Sequence, residues 1–178
     1  MLSTIHHTIG VYKRYLNINH RQGKDMLSDL VSESSILLNV EARDWKDSIR
    51  KAALPLLEQK KASASYVDAI IKSAEESGPY FVIMPQVALP HARPELGALA
   101  NAIGIASLKT PVCFGSQGND PVKYLFILCA TGTNEHVEAL MELSNLLESG
   151  DIYQVLDQAQ SSKEVLDYIK KQSKNKTE

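Results

Sequence analysis

The sequence lacks an excess of charge, a cysteine framework and a long hydrophobic run, and each absence excludes a class of protein. Its 19 basic and 21 acidic residues give a formal net charge of −2, so no basic surface for nucleic acid is indicated. Its longest apolar runs, such as residues 124–130, are far shorter than the ~20 residues of a membrane-spanning helix. Its two cysteines, Cys113 and Cys129, lack both the CxxC spacing of a redox or metal site and the density of a secreted disulfide scaffold. Both are predicted to be reduced core residues, which favours a cytoplasmic location.

Motifs of several common enzyme classes are also absent. The chain contains no P-loop, no GxGxxG, no HExxH and no GxSxG sequence. Nucleotide binding, zinc-dependent hydrolysis and acyl hydrolysis therefore have no motif to support them.

The length of 178 residues suits one domain, but the first 25 residues differ from the rest. Residues 1–25 carry four basic side chains against one acidic, and no sustained apolar period organises them. They lack the apolar core and cleavage site of a signal peptide, and an amphipathic transit peptide is a weaker alternative. We interpret residues 1–25 as a dispensable or disordered extension, residues 26–172 as the domain, and residues 173–178 as a solvated tail.

Strand and helix patterns alternate along the domain. Asp44, Thr133 or Asn134, and Ser161 with Glu164 are typical helix-start residues, and helical apolar spacing follows each of them and also begins near Ser65. Short apolar runs typical of strands occupy residues 35–40, 80–84, 87–89, 101–108 and 123–130. Interleaved strands and helices predict an α/β fold, specifically a three-layer sandwich with a mixed sheet flanked by helices.

His91 is the first candidate for chemistry. It lies between Pro90 and Pro94 just after a predicted strand, so the prolines would stiffen the loop that presents its imidazole. Neutral imidazole is a good nucleophile near pH 7, and Arg93 could supply a guanidinium fork for phosphate oxygens. An ordinary surface histidine beside a turn is the alternative.

His136 is the second candidate. It lies at the predicted start of the long C-terminal helix, where free N–H groups and the helix dipole favour an anion. A phosphoryl group on His91 would be stabilised there if the two histidines face one another. An exposed histidine at a helix start is the alternative, and a zinc site is weaker because no third ligand lies at a recognised spacing.

Three segments carry a resemblance to a known family. The sequence "GPYFVIMPQVALPHARPELGAL", then "NDPV", then "NEHVEALMELSNLLES" resembles the type 2 EIIA domains of the bacterial phosphoenolpyruvate-dependent sugar phosphotransferase system, particularly their ascorbate-type branch. The similarity covers about residues 27–169. Its most specific part is the A-[LIVM]-P-H-[GA] core that ends at His91 and Ala92.

The resemblance implies a phosphorelay without a cofactor or metal. His91 would accept a phosphoryl group from the carrier HPr as a tele-phosphohistidine and pass it to a cysteine of a cognate EIIB, which phosphorylates a sugar entering through EIIC. His136 falls where the family's second histidine is expected and would orient and stabilise the group. Asp120 belongs to the "NDPV" match and would shape the site loop. A supporting role for the carboxylates of Glu75, Glu76 or Glu95 is weakly indicated.

Two departures from the family pattern bear on activity. Gln86 replaces a glycine that usually lies two residues before the motif's alanine, and its side chain could crowd an incoming donor. The helix before the motif lacks the arginine of the mannitol-type domains, so Arg93 is expected to replace it.

The resemblance leaves several alternatives open. The domain could be a regulatory module that is phosphorylated without serving a transporter, or a binding domain that Gln86 keeps inactive. The transported sugar and the oligomeric state, a homodimer included, are also open.

Overall fold

A five-stranded mixed sheet forms the middle layer of the fold. The computed structural model describes residues 26–174. Its strands are β1 (Ile36–Val40), β2 (Val82–Met84), β3 (Val87–Ala88), β4 (Ala102–Val112) and β5 (Val122–Cys129), in the spatial order β1-β4-β5-β3-β2. The pairs β1–β4 and β3–β5 are parallel, whereas β4–β5 and β2–β3 are antiparallel.

Helices cover both faces of this sheet. They are α1 (Met26–Leu30), α2 (Trp45–Glu58), α3 (Ala64–Ser77), α4 (Thr133–Glu148), α5 (Asp151–Gln158) and α6 (Ser162–Lys174). Helices α2 and α3 bury their apolar side chains against one face, and the other four bury theirs against the opposite face. The predicted three-layer α/β sandwich is confirmed. Within this range no helix is both long enough and apolar enough to cross a bilayer.

The strand β4 contributes side chains to both hydrophobic cores, one on each face of the sheet. Ile103 and Ile105 pack with α4 and its neighbours, while Ala102 and Ala106 pack with α2 and α3. Because successive side chains of a strand point to opposite faces, a continuous apolar run is what a strand buried on both faces requires. The central strands are therefore covered on both sides, so a functional site is expected in the loops at the edges of the sheet.

Two of the three predicted helix starts are confirmed. The Asp44 carboxylate accepts a hydrogen bond from the Asp47 backbone N–H at 2.8 Å, and the Glu164 N–H donates to Ser161 Oγ at 3.4 Å. The prediction for α4 is wrong, because the residue that precedes its first turn is Gly132. Glycine is also common at the cap position, because it readily adopts the non-helical backbone conformation required there, although it supplies no side-chain acceptor.

The prediction for the cysteines is half wrong. Cys129 is buried, and its Sγ donates to the Lys61 carbonyl at 3.2 Å. Cys113 is exposed, because it follows the last residue of β4 and belongs to the loop rather than to the core. At the C-terminus, α6 extends through Lys174, two residues into the predicted tail. The predicted extension, residues 1–25, and residues 175–178 lie outside the described residues.

Candidate functional site

An open pocket lies where β3 ends. The chain leaves the sheet after Ala88 and turns through Leu89 and Pro90 to His91. The pocket has a volume of about 360 Å³, and its lining comes from α3 and from the segment after β3: Ala69, Ser73, Tyr80, His91, Ala92, Arg93, Pro94 and Leu96. Two predicted site residues, His91 and Arg93, are therefore brought together around one cavity.

The imidazole of His91 is held in one orientation by its own loop. Its Nδ1 lies 2.8 Å from the backbone carbonyl of Leu89. A carbonyl can only accept, so Nδ1 carries the hydrogen and the neutral ring has its lone pair on Nε2. Tyr80 packs edge-on against the imidazole with ring centroids 5.7 Å apart, and its hydroxyl donates to the His91 carbonyl at 3.1 Å. This tautomer is the one that a nucleophile at Nε2 requires.

Burial lowers the pKa of His91 below its ordinary value, and the hydrogen bond to the Leu89 carbonyl only partly opposes this effect. Burial removes water from the charged imidazolium at a larger free-energy cost than from the neutral ring, so the neutral form is favoured. The ring is therefore mainly neutral near pH 7, and with the hydrogen on Nδ1 its lone pair lies on Nε2.

We expect His91 to titrate below the usual value of about 6.5. The rate of phosphoryl acceptance should then stay level as the pH falls from about 8 to 6.5 and decline only at more acid pH, where protonation removes the lone pair. Because the unfolded chain binds this proton at higher pH than the folded one, stability also declines as the pH falls below that value. An NMR titration of the His91 ring measures the midpoint, with a synthetic peptide of residues 87–95 as the unshifted control. A midpoint at or above that of the peptide contradicts this account.

The loop that carries Arg93 is fastened to the start of α3. Arg93 precedes a short 3-10 turn, Pro94–Leu96, whose Leu96 carbonyl accepts from Ser65 Oγ at 3.1 Å. Ser63 Oγ donates to the Gly97 carbonyl at 3.1 Å. Gly97 has φ +128°, and a Cβ there would lie 2.0 Å from Ser63 Oγ, so only glycine permits this approach. The loop is thus fixed beside the imidazole, with the exposed Arg93 at the rim of the pocket.

His136 lies in the first turn of α4, as predicted, although its side chain is outside the described residues. The helix begins four residues after the end of β5, and the Leu128 N–H of β5 donates to the Pro90 carbonyl at 3.1 Å. Since β3 and β5 are parallel, their ends lie at the same edge of the sheet. The start of α4 and His91 therefore belong to the same edge.

The three glutamates that were predicted to support the site do not line the pocket. Glu75 and Glu76 form ion pairs with Lys46 and Lys72, and neither glutamate lines the pocket. Glu95 is exposed on the 3-10 turn and is absent from the pocket lining as well. A weakly indicated role for these carboxylates at the site finds no support in the geometry.

Asp120 shapes a loop, but not the loop around His91. Its carboxylate accepts three backbone N–H groups, from Phe114 at 3.0 Å, Gly115 at 2.7 Å and Ser116 at 2.8 Å. This loop adjoins the turn between β2 and β3, where the Asn119 carbonyl accepts from the Gln86 N–H at 2.8 Å. The prediction that Asp120 shapes the loop around His91 is therefore wrong, because the loop that Asp120 orders lies at the start of β3, whereas the pocket lies at the end of β3.

Gln86 likewise lies away from the pocket. It occupies the turn between β2 and β3 with φ +68°, a left-handed conformation that explains why glycine suits this position. Gln86 precedes β3, whereas His91 follows it, so the two residues lie toward opposite ends of this strand. The exposed Gln86 side chain is not among the residues that line the pocket.

Two tyrosines at the site were missed by the sequence analysis. Tyr80 precedes β2 and was counted only as a strand-forming aromatic, whereas it packs on the imidazole of His91. Tyr66 lies on the buried face of α3, and its hydroxyl accepts a hydrogen bond from the Ala92 N–H at 3.2 Å. The helical spacing of Tyr66 signals burial, but the partner of its hydroxyl depends on tertiary structure.

The sequence of residues 29–172 matches the family described as "Phosphoenolpyruvate-dependent sugar phosphotransferase system, EIIA 2". The chain belongs to this family. It is therefore an EIIA component of a sugar phosphotransferase system, and such components are phosphotransferases. The resemblance to type 2 EIIA domains inferred from the three sequence segments is confirmed, whereas the ascorbate-type branch is not singled out.

Three relatives illustrate the range of this family. The mannitol-specific cryptic phosphotransferase enzyme IIA component of Escherichia coli K12 is 40% identical over 144 residues, which are 80% of this chain and 97% of that protein. Its solution structure superposes with a TM-score of 0.73 over 81% of this chain and 97% of that one, at 38% identity. The ascorbate-specific EIIA component of Shigella flexneri is 35% identical over 141 residues, 79% of this chain and 92% of that protein. The nitrogen regulatory protein IIA-Ntr of Neisseria meningitidis superposes with a TM-score of 0.68 over 81% of this chain and 99% of that one, at 25% identity.

Proposed function

We propose that this EIIA component accepts a phosphoryl group from phospho-HPr on Nε2 of His91 and transfers it to a cysteine of a cognate EIIB. The EIIB would then phosphorylate ascorbate or a related sugar as it enters through EIIC, and the relay would work on the cytoplasmic side of the membrane. The observation that carries the proposal is the bond between Nδ1 of His91 and the Leu89 carbonyl, which directs the lone pair of a neutral imidazole to Nε2.

The chemistry at His91 needs no additional proton carrier. The Nε2 lone pair forms the new P–N bond while the P–N bond of the donor phosphohistidine breaks, and Nδ1 keeps its hydrogen throughout. The ring gains positive charge in this step, and the Leu89 carbonyl at 2.8 Å stabilises it. Phosphoryl transfer depends mainly on in-line positioning and on stabilising spread negative charge. The guanidinium of Arg93 and the first turn of α4, which carries His136, are the groups that we assign to that charge.

The shape of the site suits two protein partners in turn. The pocket is open, and its rim carries the exposed apolar side chains of Tyr80 and Leu96, which are 46% and 44% exposed. A donor and an acceptor must each reach the same nitrogen and then leave. Transient complexes of this kind bury interfaces at the small end of the usual range.

A mass measurement tests the proposal directly. We expect incubation with phosphoenolpyruvate, enzyme I and HPr to add one phosphoryl group to the chain, and subsequent addition of the cognate EIIB to remove it. Omission of HPr is the control. A chain that gains no mass in the complete mixture contradicts phosphoryl acceptance and favours an inactive binding domain.

A regulatory role is the second candidate, because one relative of the same fold is named a nitrogen regulatory protein. Such a module would gain the phosphoryl group on His91 but would serve no transporter. The two candidates differ in the second half of the mass measurement, since a regulatory module would keep its phosphoryl group when EIIB is added. Adjacent genes for EIIB and EIIC would favour transport.

A further inference from the structure

A buried tyrosine connects helix α3 to the segment that carries His91. Tyr66 is fully buried, and its hydroxyl lies 2.8 Å from the Leu128 carbonyl and 3.2 Å from both the N–H and the carbonyl of Ala92. A phenol has one hydrogen to donate, and the shorter contact assigns it to Leu128. The oxygen lone pair then accepts the Ala92 N–H. Tyr66 thus bridges the end of β5 and the residue that follows His91.

The same residue of β5 also holds the other side of His91. The Leu128 N–H donates to the Pro90 carbonyl at 3.1 Å, so Leu128 holds the residue before the histidine directly and the residue after it through Tyr66. The ladder between β3 and β5 pairs Ala88 with Leu125 and goes no further. Beyond it, these two contacts keep the chain beside β5 and fix the position of the His91 backbone.

The hydroxyl of Tyr66 stays protonated and so retains its hydrogen bond to the Leu128 carbonyl. Burial raises the pKa of Tyr66 above its usual range, so near neutral pH the phenol keeps the proton that it donates to Leu128. Loss of the hydroxyl would leave the buried Ala92 N–H without this acceptor. The segment of residues 89–92 would then shift, or the N–H would form a hydrogen bond to water instead.

We propose that Tyr66 is a positioning residue for phosphoryl transfer, whose hydroxyl fixes the segment of residues 89–92 so that His91 keeps Nδ1 on the Leu89 carbonyl and Nε2 toward the pocket. This inference rests on the proposed function of His91, but Tyr66 touches neither the imidazole nor the transferred group in the hydrogen bonds described. Its effect would be exerted through the backbone on either side of the histidine.

The variant Tyr66→Phe tests this role by spectroscopy and by rate. We expect ¹⁵N NMR of the His91 ring to report mostly the tautomer with hydrogen on Nδ1 in the parent, and a mixture of both tautomers in the variant. The Ala92 amide should exchange with solvent faster in the variant. The rate of phosphoryl acceptance should fall about 10- to 100-fold, as is usual when a reacting group is displaced by about 1 Å.

Tyr153→Phe is the matched control. Its hydroxyl donates to the Leu147 carbonyl at 3.1 Å on the opposite face of the sheet, so its loss should leave the tautomer, the Ala92 amide and the rate unchanged. If Tyr66→Phe lowers the melting temperature but leaves the tautomer and the rate as in the parent, the residue is merely structural and the proposal is wrong.

Two further measurements keep the test decisive. If Tyr66→Phe does not fold, the hydrogen-exchange rate of the Ala92 amide in the parent protein tests the proposal instead. Rapid exchange of this amide would overturn the proposal, and protection from exchange would support it. If the parent accepts no phosphoryl group, the proposed function fails. The tautomer and the amide of the folded variant still show whether Tyr66 positions His91.

Discussion

His91→Gln is expected to abolish phosphorylation by phospho-HPr while the domain still folds. A glutamine amide has no nucleophilic ring nitrogen, so no P–N bond can form at this position. The substitution also removes the hydrogen bond from Nδ1 to the Leu89 carbonyl, which should cost about 1 kcal/mol of unfolding free energy. For a domain of this size the melting temperature should fall by about 2–4 °C. Mass spectrometry and thermal unfolding measure the two effects separately.

His91→Asn separates the nucleophile from the loop contact. The side-chain amide of asparagine can donate to the Leu89 carbonyl from near the position of Nδ1, so this variant should lose all phosphorylation with less loss of stability than His91→Gln. In the parent, the bound phosphate should be labile in acid and stable in base, as a phosphoramidate is. Acid-stable phosphate, or full labelling of either variant, would overturn the assignment of His91.

Gln86→Gly is the control for both variants. It places the family's usual residue in a turn whose φ of +68° favours glycine, and it lies at the opposite end of β3 from the pocket. We expect the parent and this variant to be phosphorylated at the same rate. If only Gln86→Gly were phosphorylated, crowding by Gln86 would explain an inactive parent.

The layers of the fold were predictable because they follow from local patterns. The apolar runs of β4 and β5 and the helical spacing in α2, α3, α4 and α6 each appear within one segment of sequence. The short helices α1 and α5 were not predicted. In α5 only Ile152 and Leu156 are buried, a signal too brief to distinguish a helix from a loop.

The chemistry of the site was partly predictable for a similar reason. His91 and Arg93 are neighbours in sequence and the prolines mark their loop, so their proximity needed no knowledge of the fold. Tyr66 meets Ala92 across 26 positions and Leu128 across 62, so tertiary structure alone reveals that bridge. The misplacement of Asp120 has the same origin, since the family resemblance assigned Asp120 to a loop but the sequence does not show which end of β3 that loop adjoins.

The connection from β5 into α4 supports the role that we propose for His136. The helix starts at the sheet edge where β3 also ends, and its cap residue, Gly132, has no side chain with which to satisfy the first-turn N–H groups. We propose that a phosphoryl group on His91 is stabilised by the positive end of this helix dipole and by a hydrogen bond from His136, although the Glu135 carboxylate lies at the same helix start.

His136→Ala is expected to fold normally and still to carry phosphate on His91, but to transfer it about 10²- to 10³-fold more slowly, as is typical when one donor to a developing negative charge is lost. The loss should stay partial because the backbone N–H groups of the first turn of α4 remain in the variant. His136→Gln keeps an N–H donor and should recover part of the rate. Rapid-quench kinetics of transfer from phospho-HPr and to EIIB measure both steps. A His136→Ala variant as fast as the parent in both steps would show that the second histidine does not stabilise the transferred group.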